Sequence, residues 1–333
     1  MTTRKTKRLK SITQEDLDKI NPNNIELIED FIMYCETVDK SPSTLVGYRS
    51  DLRIWMKWIH DNLKNKDFVD IQKRDVMRFQ NWCIKREMSP ARIRGLKSAA
   101  SSLSDYIVNL MDDLYPDFAN IINEIESPVI VPVREKTILS DEQVDKLLED
   151  LLDDGKIQQA CMVAVLAGSG MRKSEVIQCN VDWFFGDNVV EYEGMYVTPE
   201  IRTKGAGVRG KQMKKYIIKD IVDHYLKLWI DERERLEINS DALFVIRRKG
   251  EWSRIKTSTI DSWMTLYSRL IGEVCYAHAF RHYASTWLRR NNVSVDVIRD
   301  FLGHNDSATT ELYIDIDASE NLAGMLDFMN KDK

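Results

Sequence analysis

The sequence predicts a mainly α protein with a small antiparallel β-sheet in its C-terminal domain, built as two domains joined by an extended linker. Three observations carry this. Apolar residues recur at helical spacing through residues 23–127 and again beyond 138. Between 188 and 219 the period changes to two. Pro128, Val129, Ile130, Val131, Pro132 and Val133 cannot continue a helix and separate the two compositions. At 333 residues the chain is long enough for each domain to bury a core of its own.

Taken in order, residues 1–22 carry Arg4, Lys5, Lys7, Arg8 and Lys10 with little apolar content, which predicts a basic N-terminal arm, either a solvated tail or a DNA contact. In residues 23–127, Leu27, Ile28, Phe31, Ile32 and Cys35 form one helical stripe. Tyr48, Leu52, Trp55, Met56 and Ile59 form a second after the start signal Ser41-Pro42-Ser43. A third comprises Val76, Phe79, Trp82 and Cys83, and a fourth opens at Ser89-Pro90 with Ile93, Leu96, Ala100, Leu103 and Ile107. The expectation is a bundle of four or five helices, followed by a linker over 128–137.

In the second domain, 138–317, Ser140 and Gln143 are spaced as a capping box, and an apolar helix from Ala160 to Ala167 ends in Gly168-Ser169-Gly170. Val189, Val190 and Tyr192, then Tyr196, Val197 and Ile201, then Tyr216, Ile217 and Ile218 read as a small antiparallel sheet. Helices resume at 220–235 and 258–272. The tail, 318–333, spaces Leu322, Met325, Leu326 and Met329 as one face of a short final helix.

Composition excludes several classes. No run of 18 apolar residues exists, and the N-terminus is charged where a signal peptide needs an apolar core, so a soluble cytoplasmic protein without membrane contact is expected. The five cysteines are scattered without a Cys-x-x-Cys pair and predict buried reduced thiols, with no metal site. The net charge of −5 argues against nucleic acid only as a single number. Residues 201–219 hold seven basic side chains (Arg202, Lys204, Arg209, Lys211, Lys214, Lys215 and Lys219) and no acid, and Arg247, Arg248, Lys249, Arg254 and Lys256 form another cluster. Local sign is what a phosphate backbone feels across a Debye length of roughly 8 Å.

The chemistry concentrates in residues 277–316, which hold three of the five histidines. Phe280, Tyr283, Ala284, Trp287 and Leu288 make the buried stripe of a helix. His278 and Arg281, three apart near its start, are expected on one face close to the positive end of its dipole. Asn291 and Asn292 can close that helix, Ser294 can cap the next, and Gly303 can turn the chain into His304, with Tyr313 on a third helix. Upstream, Arg172 emerges from a glycine turn at a helix start, placed to clamp an anion, and Glu175 is positioned to orient it. Lys204 stands where a strand runs into the glycine-rich tip 205–210, which lacks the Gly, Lys and Ser/Thr order of a phosphate-binding P-loop.

Taken together, His278-x-x-Arg281, Leu302-Gly303-His304 and Tyr313 resemble the tyrosine recombinase (phage integrase, Xer-like) family. The stretch 170–175 matches that family's Gly-Leu-Arg-x-Ser-Glu motif with Met171 in place of Leu. Phe280 also stands where the family usually has Leu. The resemblance implies a two-lobed DNA clamp: a helical, SAM-like core DNA-binding domain ahead of an α+β catalytic domain.

In that reading Tyr313 is the nucleophile, Arg172, Arg281 and His304 hold the phosphate, and His278 is the base. Lys204 is the acid, with Lys211 and Lys214 as fallbacks, and Glu175 supports Arg172. It further implies a 3′-phosphotyrosine intermediate, a four-way junction and no cofactor. Its partners would be double-stranded recombination sites, a homo-tetramer, an accessory directionality factor, and a C-terminal helix docking in a neighbouring protomer. Arg49, Arg53, Arg92, Arg94 and Lys97 read by themselves as a solvated face; the resemblance turns them, with Arg202, Arg209, Lys211, Arg247, Arg248 and Lys256, into DNA-binding candidates. A regulator that keeps the fold without strand exchange is the alternative, and a type IB topoisomerase is disfavoured by size and domain order.

Overall fold

The computed structural model describes residues 12–129, 137–205 and 207–303. The chain divides into two compact units, 1–135 and 136–333, each with its own apolar core.

The first unit is helical. Helices α2 (Pro22–Thr37), α3 (Pro42–Asn62), α4 (Lys73–Lys85) and α5 (Pro90–Leu110) follow the four stripes. Proline at the first helical position, after Asn21, Ser41 and Ser89 as N-caps, starts three of them, because a proline there loses no hydrogen bond the helix would make. Trp55 is fully buried at the centre, stacked on Phe79 at 3.5 Å between ring centroids, with its indole N–H donated to the Leu96 carbonyl at 2.9 Å.

The expected arm is shorter than 1–22. Thr13 caps a short helix α1 (Gln14–Leu17), and Ile12, Leu17 and Ile20 pack on the bundle core, so three apolar residues hold the second half of that segment down. Of the expected linker, 130–136 lies outside the described residues, as do 1–11 and everything beyond Gly303.

The second unit is organised around α7 (Ile157–Ser169), buried from Ala160 to its end. It is packed by α6 (Asp141–Asp153), α9 (Lys219–Arg235) and α11 (Ala277–Arg290). The Ser140–Gln143 capping box is formed. A four-residue helix α8 (Lys173–Val176) follows the turn at Gly170.

The period-two region forms two ladders, where the sequence suggested one sheet. Strands β1 (Glu191–Tyr192), β2 (Met195–Val197) and β5 (Tyr216–Ile218) make an antiparallel sheet in the order β1-β2-β5. Strands β3 (Ile201–Thr203) and β4 (Lys211–Met213) pair separately. The break falls at Pro199, which has no N–H to donate, directly after Thr198 closes the first ladder by two bonds to the Lys215 backbone.

A further hairpin, β6 (Val245–Arg248) and β7 (Glu251–Arg254), lies where the sequence showed only a basic cluster. Its turn is Lys249-Gly250, with positive φ at both residues (51° and 90°), the geometry that suits a two-residue hairpin loop. Helices α10 (Thr257–Ile271) and α12 (Val295–Leu302) complete the described unit. All five cysteines are buried and free. Among the described residues no helix is long and apolar enough to cross a membrane.

Candidate active site

The site is assembled from two glycine turns and one buried helix. Gly170 ends α7 in the left-handed region at φ 59°, and a side chain there would run into Leu302, 2.4 Å from the position of its Cβ. Only glycine satisfies both the φ and the approach. The chain then delivers Arg172 and Glu175. The Glu175 carboxylate is fully buried and has two jobs. One oxygen accepts the Arg172 backbone N–H at 2.9 Å, capping α8, and the other accepts the Arg172 guanidinium at 2.8 Å. Arg172 keeps 28% of its side chain exposed, so its fork is held at one end and open to solvent at the other.

Arg281 enters from α11 and is completely buried. It donates to the Gly170 carbonyl at 2.8 Å and to the Leu302 carbonyl at 2.8 Å, tying both glycine turns to one guanidinium. The Leu302 carbonyl stands at the C-terminal end of α12, where helix carbonyls lack intrahelical partners and the dipole favours a cation. Gly303 follows at φ 69°, as expected for the turn into His304.

A second cation reaches the same carbonyl. Lys215, between β4 and β5, is 1% exposed; its Nζ donates to Leu302 O at 2.9 Å and lies 3.7 Å from Glu175. Burial lowers its pKa to about 8; Glu175 opposes that shift, and the charges of Arg281 and Arg172 add to it. Arg172 and Lys215 thus share the buried Glu175 carboxylate, and Arg281 shares the Leu302 carbonyl with Lys215, which gathers three cations at one place with Arg172 at its open edge. Such a cluster suits an anion whose charge grows during reaction, such as a phosphodiester passing through a pentacoordinate state.

The remaining site candidates divide. His278 is exposed on α11 while Arg281 is buried, so the two do not present equally on one face; the His278 ring meets His282 edge-on at 4.8 Å. Lys204 is exposed just past the end of β3. His304 and Tyr313 lie outside the described residues. Arg202, Arg209 and Lys211 are exposed on or beside the β3–β4 hairpin. Arg247 and Arg248 are exposed on β6, and Lys256 is exposed ahead of α10.

In the helical unit, Arg49 and Arg53 both pair with Glu29, at 2.7 and 3.6 Å, and Arg92 pairs with Asp51 at 2.6 Å. Arg94 is exposed and donates to the Pro128 carbonyl at 3.3 Å. Lys97 is a correction to the solvated-face reading. It is 3% exposed, with its ammonium against the Ile125 carbonyl and Gln80, because its place on α5 falls on the packed side of the helix.

Lys215 was not among the sequence candidates. One signal was available: strand alternation carried back from Ile217, which is fully buried, puts residue 215 on the buried face. Among the described residues no cluster of His, Cys, Asp and Glu could hold a metal ion.

The chain is similar to known proteins over most of its length. The model of the phage integrase family matches residues 137–320. The chain is 24% identical over 310 residues to the SPbeta prophage-derived recombinase-like protein YomM of Bacillus subtilis (strain 168), covering 92% of this chain and 90% of that protein. It is 28% identical over 292 residues to the tyrosine recombinase XerA of Thermococcus kodakarensis, covering 86% and 90%. In fold it is similar to the XerH site-specific recombinase bound to a palindromic difH substrate, with a TM-score of 0.69 and 17% identity over 97% of this chain and 99% of that one. It is also similar to the Tn1549 transposon integrase in complex with circular intermediate DNA, at a TM-score of 0.58 and 16% identity, covering 86% and 94%.

Proposed function

This chain belongs to the phage integrase family, and on that premise we propose that it is a site-specific recombinase that cuts and rejoins DNA strands through a phosphotyrosine. The observation that carries the reading is the cluster around Glu175. Arg172 and Arg281, 109 positions apart in sequence, are brought to the two glycine turns that lead into the candidate motifs.

In the proposed reaction the Tyr313 phenol attacks the scissile phosphorus. His278 takes its proton, the P–O5′ bond breaks, and the departing 5′ oxygen is protonated by Lys204, whose exposed hairpin position leaves it free to reach a duplex. Arg172 and His304 neutralise the nonbridging oxygens, each such donor being worth about 10²–10³ in rate, and Arg281, buried on the Gly170 and Leu302 carbonyls, adds its charge to the phosphate site from within the protein. The 3′-phosphotyrosine conserves the phosphoester bond energy, so attack by a free 5′ hydroxyl reseals a strand without ATP. Paired exchanges through a four-way junction, in a tetramer on two duplex sites and with an accessory protein setting direction, complete the proposal. The exposed arginines and lysines of the β3–β4 and β6–β7 hairpins are the DNA-backbone contacts.

The test is a nicked duplex that releases its 5′ fragment and traps the covalent adduct, its sequence taken from a random pool selected by the purified chain. The parent chain accumulates adduct; Tyr313→Phe binds the duplex and accumulates none. Adduct at the parent level in Tyr313→Phe overturns the assignment of the nucleophile. Selective binding by the parent chain without any adduct identifies it as a DNA-binding regulator.

A further inference from the structure

We propose that Lys215 is a positioning residue of this site: an internal ammonium clip that joins the Arg172–Glu175 turn to the end of α12 and so sets the placement of Arg172 relative to Gly303. This inference rests on the recombinase reading above. It concerns a residue to which the Gly-x-Arg-x-Ser-Glu, His-x-x-Arg and Leu-Gly-His motifs assign nothing.

The geometry is specific. The Lys215 backbone is held from both sides by Thr198, whose N–H donates to the Lys215 carbonyl at 2.9 Å and whose hydroxyl accepts the Lys215 N–H at 2.9 Å. The stem is therefore fixed at the root and sealed from solvent along its length. At the tip, Nζ donates to Leu302 O at 2.9 Å and stands 3.7 Å from the Glu175 oxygen that caps α8. The Gly303 backbone closes over it: a Cβ added there would sit 2.8 Å from Nζ and 2.8 Å from the end of Met213. Three segments distant in sequence, at 175, 215 and 302, meet on one ammonium.

A buried lysine carries a large desolvation cost, and an apolar side chain of the same length would avoid it. What the ammonium provides is direction. It gives the Leu302 carbonyl a second donor beside Arg281 and gives Glu175 a second cation beside Arg172. Leu302 and the Arg172 turn can then shift only together. The tip is engaged by protein and sealed in, so Lys215 acts through Glu175 and Leu302 rather than on the DNA; Lys204, exposed on its hairpin, remains the group available to the leaving oxygen.

The experiment uses the full chain on the selected nicked duplex, and on the same duplex with sulfur replacing the bridging 5′ oxygen. A thiolate leaves without help from an acid, so the sulfur substrate rescues loss of a general acid and does not rescue misplacement. Lys215→Met preserves length and removes charge. Its expected adduct rate is about 10²-fold below the parent, the order lost to a misplacement near 1 Å. Duplex affinity and a single cooperative melt are expected to be retained, with no rescue by sulfur, whereas Lys204→Met is rescued. Lys215→Arg, which keeps the cation, is expected to recover more of the rate than Lys215→Met.

An adduct rate in Lys215→Met within about threefold of the parent, equal rates in the Met and Arg variants, or rescue of Lys215→Met by sulfur would each overturn the proposal. Should Lys215→Met fail to fold, the Lys215→Arg rate on the two substrates decides alone: a deficit that sulfur removes refutes positioning, and one that persists supports it. No adduct from the parent chain removes the recombinase reading itself, an outcome separate from all of these.

Discussion

The two units handle cationic side chains in opposite ways. In the helical unit Arg49, Arg53 and Arg92 lie near the surface against Glu29 and Asp51, each arginine a third or more in solvent. In the second unit Arg281 and Lys215 are sealed from solvent: Lys215 joins Arg172 on the Glu175 carboxylate, and Arg281 holds the Gly170 carbonyl and, with Lys215, the Leu302 carbonyl. An exposed pair gains little over hydration, because water screens it and two long side chains must be ordered. A sealed cation has no water to return to, so each partner it holds becomes costly to remove. The same residue types thus act as replaceable surface charge in one unit and as an internal frame in the other.

The sharpest way to break this comparison is Arg281→Met. It removes a donor from the Gly170 carbonyl, at roughly 1–3 kcal/mol for a buried acceptor left unpaired, and one of the two cationic donors that the Leu302 carbonyl has among the described residues. Chemical denaturation is expected to show that loss in the second unit, together with a fall in adduct formation below detection. A variant as stable as the parent would mean that the buried frame is not what holds the turns.

A smaller effect with a distinctive sign concerns Lys215. Its folded pKa of about 8 lies below the ordinary lysine value of 10.5, so between those pH values the unfolded chain binds the extra proton and stability contributed at this site rises with pH. The penalty of the buried charge is fully present below pH 8 and is relieved as pH climbs toward 10.5. The stability of Lys215→Met relative to the parent is therefore expected to be greatest near neutral pH and to shrink by pH 10, measured as paired melts in one buffer series. A difference that is flat or grows over that range contradicts the buried-ammonium account.

The smallest effects belong to the helical unit. Arg49→Ala removes a partly exposed pair with Glu29 and is expected to cost about 1 kcal/mol or less. Lys97→Met, one of the few places where that unit behaves like the other, leaves the Ile125 carbonyl short of a donor and is expected to cost about 1–3 kcal/mol. If the two variants melt alike, burial is not what separates them.

Much of the architecture was legible because it is local. Caps at Ser41, Ser89, Ser140 and Ser294, the apolar stripes of α2 to α5, and the left-handed stops at Gly170 and Gly303 all lie within a turn or two of what they control. The β6–β7 hairpin was missed because four charged residues around a Lys-Gly turn outweighed its alternation. The division of the sheet at Pro199 was missed because apolar spacing does not register a missing N–H.

What the sequence determined by itself was the two-domain order, the element types and the motif set, including Arg172 with Glu175 three residues on, since periodicity, capping and i to i+3 geometry are properties of short segments. Only the tertiary structure decided which cations are internal. Arg281 rather than His278 is sealed in α11, Lys97 is turned inward on α5, and Lys215 rather than Lys204 meets Glu175. The physical reason is that a charge is assigned its role by the solvent it loses and the acceptors it gains, and those acceptors, Gly170 and Leu302, come from segments more than 20 residues away.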